Sequence, residues 1–203
     1  RQRQMCIRDR EWPDDIRLRQ DGAVEKYRTL LQEDVEFFVY LQYLFFRQWN
    51  RLRDYVHAQG IRIIGDLPIY VAMDSADVWA ETEFFQLDET LIPKAVSGVP
   101  PDYFSADGQL WGNPLYDWER MREDGFGWWI RRIDGAGKLY DIIRIDHFRG
   151  FESYWAVPYG ETTAKNGRWV AGPGMDLVDR LNGWFPQLAF IAEDLGYPTP
   201  GVQ

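Results

Sequence analysis

From about Leu31 apolar residues recur three, four or seven positions apart, at Val35, Phe38, Leu41, Phe45, Leu52 and Val56, and Gly60 ends the run. That period predicts a long helix with one apolar face. The pattern then changes at once. Ile61-Arg62-Ile63-Ile64-Gly65-Asp66 is a short β-branched run closed by an acid and Pro68, which predicts a buried strand. Residues 118 to 139 return to helical spacing, broken near Gly125, with Trp128, Trp129, Ile133 and Leu139 as the expected buried stripe. Tyr140 to Asp146 predicts a second strand and Leu188 to Asp194 a third, and both again end in acids. Between them, Trp155 to Trp169 holds Asn166-Gly167 between extended pieces, a hairpin signal, and Met175 to Trp184 reads as a short helix.

Strands alternating with helices indicate a parallel α/β architecture with loops hung on the strand C-termini. Residues 86 to 117 have no helical period and are rich in Pro and Gly over VSGVPPDYFSADG. A loop that long inside a compact domain is usually functional, so this segment is a candidate binding loop. Residues 1 to 10, RQRQMCIRDR, match nothing that follows and are set apart as a non-native tail; residues 11 to 203 are read as one partial domain.

Composition narrows the function. A chain of 203 residues with 45% hydrophobic and 16% aromatic residues can bury a core, which excludes disorder. The net charge of -9 excludes a nucleic-acid partner, which needs a basic footprint, and suits an uncharged, hydroxyl-rich substrate. Cys6 is the single cysteine and closes no internal disulfide, so a cytoplasmic home is the expectation. The most apolar stretch, FFVYLQYLFF, is too short and too interrupted by Gln42 to cross a membrane, so no membrane partner is expected.

Three predicted strands end in carboxylates: Asp66, Asp146 and the pair Glu193-Asp194. Side chains at the C-terminal ends of parallel strands can converge on one face. Glycoside chemistry needs two carboxyl groups there, one ionised to attack the anomeric carbon and one holding a proton for the leaving oxygen. Arg144 stands two residues before Asp146, on the same side of an extended strand. A cation so placed keeps a carboxylate ionised, whereas a glutamate in an apolar run such as Phe190-Ile191-Ala192-Glu193 tends towards holding its proton. The residues alone leave alternatives open. Asp146 could cap a helix or pair with Arg149, Asp66 could cap the next segment, and strand period does not choose between Glu193 and Asp194. His147 could be a buried, hydrogen-bonded ring, and Tyr103, Phe104 and Trp111 could be a mini-core pinning the loop. Neither the Asp146–His147 pair nor His57 belongs to a metal-ligand set, and no phosphate-cradling glycine pattern occurs, so no metal or nucleotide is expected.

The stretches GDLPIYVAMDSADVW, GVPPDYFSADGQLWGNPLYDW, RIDHFRGFESYWAVP and IAEDLG resemble, in order, motifs of the 4-α-glucanotransferases, the amylomaltases or disproportionating enzymes related to α-amylases. The resemblance covers the chain from about residue 12 to its end. It implies a partial (β/α)8 barrel with inserted loops, about three to four of its parallel strands being present. It also implies an enzyme that acts without a cofactor, passing α-1,4-glucan segments from a glucan donor to a sugar acceptor by a retaining double displacement. By the same resemblance Asp146 is the nucleophile and Glu193 the general acid/base. Asp66, Arg144 and His147 hold the sugar at the cleavage point, and residues 81 to 117 form a substrate-covering loop in which Tyr103, Phe104 and Trp111 pack on glucose rings.

The family's third carboxylate, in a histidine-aspartate motif, lies downstream of Gln203, so the chain is expected to be an internal fragment, inactive by itself. Two other readings remain at this level: a glucan-binding piece with open sheet edges, or an α-amylase-type hydrolase in which water captures the intermediate. An acceptor site in the loop Val96 to Pro114 would favour transfer.

Overall fold

The structure, a computed structural model, describes residues 12–193. Residues 1 to 10 and Asp194 therefore lie outside the described residues. The chain divides into two compact units, Arg1–Ile63 and Ile64–Gln203.

The first unit is helical: α1 Asp14–Arg17, α2 Ala23–Leu30 and α3 Gln32–Ala58. Acids open the last of these, Glu33 and Asp34 in its first turn, where they complement the helix dipole. Its end is a Schellman closure: Gly60 N donates to His57 O and Ile61 N to Val56 O, with Gly60 at φ +74°. The predicted helix is thus present, but its stripe is not buried, and no residue of α3 is. The stripe described only part of the apolar surface, since Phe37, Val39, Tyr40, Tyr43 and Phe46 are exposed beside it, and a helix apolar on several faces has no single face to bury.

The second unit begins with β1 Ile64–Pro68 and continues through α4 Ala76–Ala80, β2 Ala95–Val99, β3 Gln109–Pro114, α5 Trp118–Glu123 and α6 Gly127–Gly137. It ends with β4 Ile142–Asp146, β5 Ser153–Pro158, β6 Arg168–Ala171, α7 Met175–Trp184 and β7 Ala189–Ala192. Strands β1, β4 and β7 form a parallel sheet in the order β1-β4-β7, the α/β architecture that the alternation predicts. The predicted first strand is shorter and less buried than expected. Ile61 is spent on closing α3, and β1 lies at the edge of the sheet with only Gly65 buried.

A second, antiparallel sheet has the order β3-β2-β5-β6. It corrects the reading of residues 86 to 117 as an irregular loop, because β2 and β3 are paired strands within it. Gly98 and Gly112 hid them, since glycine lacks a side chain to carry a two-residue period. The predicted hairpin is β5–β6, with Asn166 in a turn and Gly167 directly beneath the Trp155 indole. Aromatic and aliphatic side chains from both sheets and the helices meet in one core, where Trp129, Tyr116, Phe151, Leu115, Met121 and Ile133 are fully buried. Trp128, Trp129 and Ile133 are buried as the α6 stripe predicts, while Leu139 falls after the helix and is half-buried.

Candidate active site

Parallel pairing sets the site. Asp66 of β1 stands opposite Arg144 of β4, and Pro68 opposite Asp146. The Arg144 guanidinium pairs with Asp66 through one nitrogen and lies 3.1 Å from Oδ1 of Asp146 through the other. The hydrogen bond to Asp66, aided by the charge of Asp146, holds Arg144 above its ordinary pKa. Asp66 is therefore an ion-pair partner and not a cap, and the cation on Asp146 is Arg144. Arg149 instead donates to Ser153 Oγ at 2.9 Å and lies 3.7 Å from Glu152.

On the other side of β4, Glu193 follows β7 and its N–H donates to Ile145 O at 3.1 Å, continuing the ladder by one residue. Its Oε2 accepts the His147 backbone N–H at 2.9 Å. His147 has φ +53°, which turns the chain out of β4 into a 3-10 turn over Phe148–Phe151. The turn is tight: Gly150 N donates to His147 O at 2.9 Å, and a Cβ on Gly150 would meet Ile69 and His147.

The His147 side chain is 8% exposed and packs edge-to-face on Trp111, with ring centroids 4.8 Å apart. Burial, and then the charge of Arg149, push it down to about 4, so the imidazole is neutral at neutral pH. It can then give or take one hydrogen bond with a hydroxyl without adding charge.

A cavity of about 250 Å³ brings together Asp146, His147, Glu193 and Trp111 of the predicted residues. Arg144 and Asp66 do not line it and reach it only through Asp146. Tyr103 and Phe104 are 96% and 95% exposed, touch each other edge-to-face at 5.7 Å, and do not line the cavity. They are no mini-core. The loop is held by Asp102, whose Oδ1 accepts from Phe104 N and Ser105 N, and by Ser105 Oγ, which donates to Gly108 O.

Four polar or aromatic residues lining the cavity were not among the predicted site residues: Asp102, Gln109, Arg149 and Trp169. Arg149 lies in the same RIDHFRG segment as Asp146, and Asp102 and Gln109 lie in GVPPDYFSADGQLWGNPLYDW, which were the available signals. The places of Asp102, Gln109 and Trp169 in the cavity depend on the hairpin and β6 reaching the strand ends. Among the described residues, no group of three His, Cys, Asp or Glu is placed to hold a metal ion, and no helix is long and apolar enough to cross a membrane.

The chain is 54% identical over 189 residues to a 4-alpha-glucanotransferase of Clostridium butyricum, covering 93% of this chain and 39% of that protein. It is 51% identical over 193 residues to the enzyme of the same name from Aquifex aeolicus, covering 95% and 40%. Among solved structures it is similar to an amylomaltase from Streptococcus agalactiae in complex with acarbose, at 44% identity and a TM-score of 0.89, covering 95% of this chain and 39% of that one. The chain thus spans about two fifths of the length of these relatives. The family profile described as 4-alpha-glucanotransferase matches residues 1–203, the segment 1 to 10 included, and the chain belongs to that family.

Proposed function

We propose that this chain is the nucleophile- and acid-bearing part of a 4-α-glucanotransferase, built on a partial (β/α)8 barrel whose strands β1, β4 and β7 present the site at their C-terminal ends. The observation that carries the reading is that Asp146 and Glu193, from adjacent parallel strands, line one cavity. The similar amylomaltase in complex with acarbose supports a sugar as the occupant.

In this reading Asp146 attacks C1 of the donor glucan, forming a β-glucosyl ester, while Glu193 gives its proton to the departing 4-oxygen. Glu193 then takes a proton from the 4-hydroxyl of the acceptor, whose oxygen displaces Asp146 and restores the α-1,4 bond. Arg144 holds Asp146 in place, and its pairing with Asp66 fixes the guanidinium between both acids. Neutral His147 hydrogen-bonds the sugar at the cleavage point. The exposed rings of Tyr103 and Phe104 close over the glucan, so that sugar and not water captures the ester. The partners are an α-1,4-glucan donor and a sugar acceptor. A cytoplasmic place rests on the single Cys6.

Maltotriose given to the full-length protein should yield glucose and longer oligosaccharides with little rise in reducing ends. A steady rise would instead make it a hydrolase. Asp146→Asn should remove essentially all turnover, and a variant keeping more than about a tenth of it would end the nucleophile assignment.

A further inference from the structure

Trp169 of β6 has no part in the chemistry above, yet it lines the same cavity as Asp146 and Glu193. Its ring is held on two sides. The Arg149 guanidinium lies 4.1 Å from the ring centroid, and Arg149 is itself buried and anchored on Ser153 Oγ. Trp155, directly opposite in the β5–β6 register, meets the indole edge-to-face at 5.3 Å. Trp155 is fixed in turn, its Nε1 donating to Ala164 O at 2.8 Å over the space that Gly167 leaves.

The result is an indole whose plane is set before any ligand arrives and whose surface is still 42% exposed. Asp102 and Gln109 line the cavity with it and offer polar atoms. A pyranose ring needs this combination, because its C–H face is apolar while its rim is all hydroxyl. A flat ring that is already ordered gives contact area at little entropic cost.

We infer that Trp169 is a sugar-stacking platform of the reaction cavity. It takes the C–H face of a glucopyranosyl ring, from donor or acceptor, on the exposed part of the indole, and Arg149 is the positioning residue that sets its plane. The inference rests on the glucanotransferase reading and adds a binding residue to it.

The test uses the full-length protein. Maltotriose affinity is measured by titration calorimetry on the Asp146→Asn background, with and without Trp169→Leu or Trp169→Phe. Steady-state KM for maltotriose as donor and for glucose as acceptor is measured on the active background. Loss of the ring in Trp169→Leu should raise the dissociation constant about tenfold, or roughly 1.4 kcal/mol. Trp169→Phe, which keeps a smaller face, should raise it about two- to threefold. One of the two KM values should rise in step while kcat changes less, and which one rises tells whether the ring belongs to donor or acceptor. If Trp169 only shields Arg149, the variants lower the melting temperature and leave the affinity of the folded protein unchanged, which overturns the inference. Should Trp169→Leu not fold, the Phe variant decides, and affinity and both KM values within about 1.5-fold of the parent count against the platform. Turnover by Asp146→Asn would refute the catalytic reading alone, since the KM values on the active background report on Trp169 whichever acid is the nucleophile.

Discussion

The backbone N–H of His147 donates to Oε2 of Glu193 over 2.9 Å, joining residues 46 positions apart. The end of one strand therefore holds the carboxylate of the next, and the left-handed φ of His147 is what turns that N–H out of the β4 ladder. Glu193 lines the cavity, while Asp194 lies outside the described residues.

Glu193→Gln keeps this contact, because the amide oxygen accepts the same N–H, but removes the transferable proton. Its melting temperature should stay within a few degrees of the parent, while turnover of maltotriose falls on the order of 10²- to 10⁴-fold. A glycosyl fluoride donor, whose leaving group needs little protonation, should lose far less in the first step. Equal losses with both donors would remove the acid role from Glu193.

Arg144 reaches Asp66 and Asp146 at once because a guanidinium presents a planar fork of donors. Lysine keeps the charge but has one compact head, so Arg144→Lys should lower kcat at least about tenfold with the fold intact. Asp66→Asn acts on the same bridge, so combining the two changes should cost less than the product of their separate effects. Simple multiplication of the two losses, or a Lys variant at parental kcat, would show that the bridge does not position Asp146.

The local sequence made the strands that carry these acids legible, while the roles of the acids came from the resemblance. Arg144 and Asp146 fall on β4 as its β-branched run predicts and β7 leads into Glu193 as LAFIAED predicts, whereas Asp66, expected to close its strand, is the middle residue of β1, which runs on to Pro68. Of the second sheet the β5–β6 hairpin was legible in Asn166-Gly167, but β2 and β3 were hidden, since they sit in a Pro- and Gly-rich stretch and join through long-range pairing with β5. With them went the cavity positions of Asp102 and Gln109, and nothing in the predicted hairpin showed that its Trp169 reaches the cavity. The exposure of α3 is a different matter. An apolar period shows which face of a helix is able to bury, and not whether anything covers it.

Two glycines should respond with opposite signs to alanine. A Cβ on Gly98 of β2 would stand 2.5 Å from the carbonyl oxygen of Gln109, a backbone atom of β3 that cannot swing aside. Gly98→Ala should cost about 1–3 kcal/mol of stability and, by moving Gln109 and Trp111, raise the KM for maltotriose. Gly183 of α7 has ordinary helical backbone and nothing within 4 Å of an added Cβ. Gly183→Ala should therefore stabilise the protein by about 0.5–1 kcal/mol. Thermal melts of both variants check the pair, and a neutral Gly98→Ala would mean that the hairpin yields more easily than its register suggests.

His147 also gives the fold a specific response to acid. Its imidazole is pushed down to about 4 when folded, by burial first and by Arg149 second, and Asp146 opposes the shift only in part. In the unfolded chain the same group protonates near 6.5. Between those values the unfolded state binds a proton that the folded state refuses, so stability falls as pH drops from about 6.5 towards 4 and is fully present above that window. The loss attributable to this one side chain is on the order of 3 kcal/mol at the acid end. His147→Gln removes the titrating group and keeps a hydrogen-bonding side chain of similar size. Urea unfolding at pH 7.5, 5.5 and 4 should therefore show the parent losing more stability than the variant over that range, with the gap opening below about 6.5. Parallel pH profiles for the two proteins would mean that His147 is protonated without penalty, and that the neutral imidazole assigned to the sugar site is wrong.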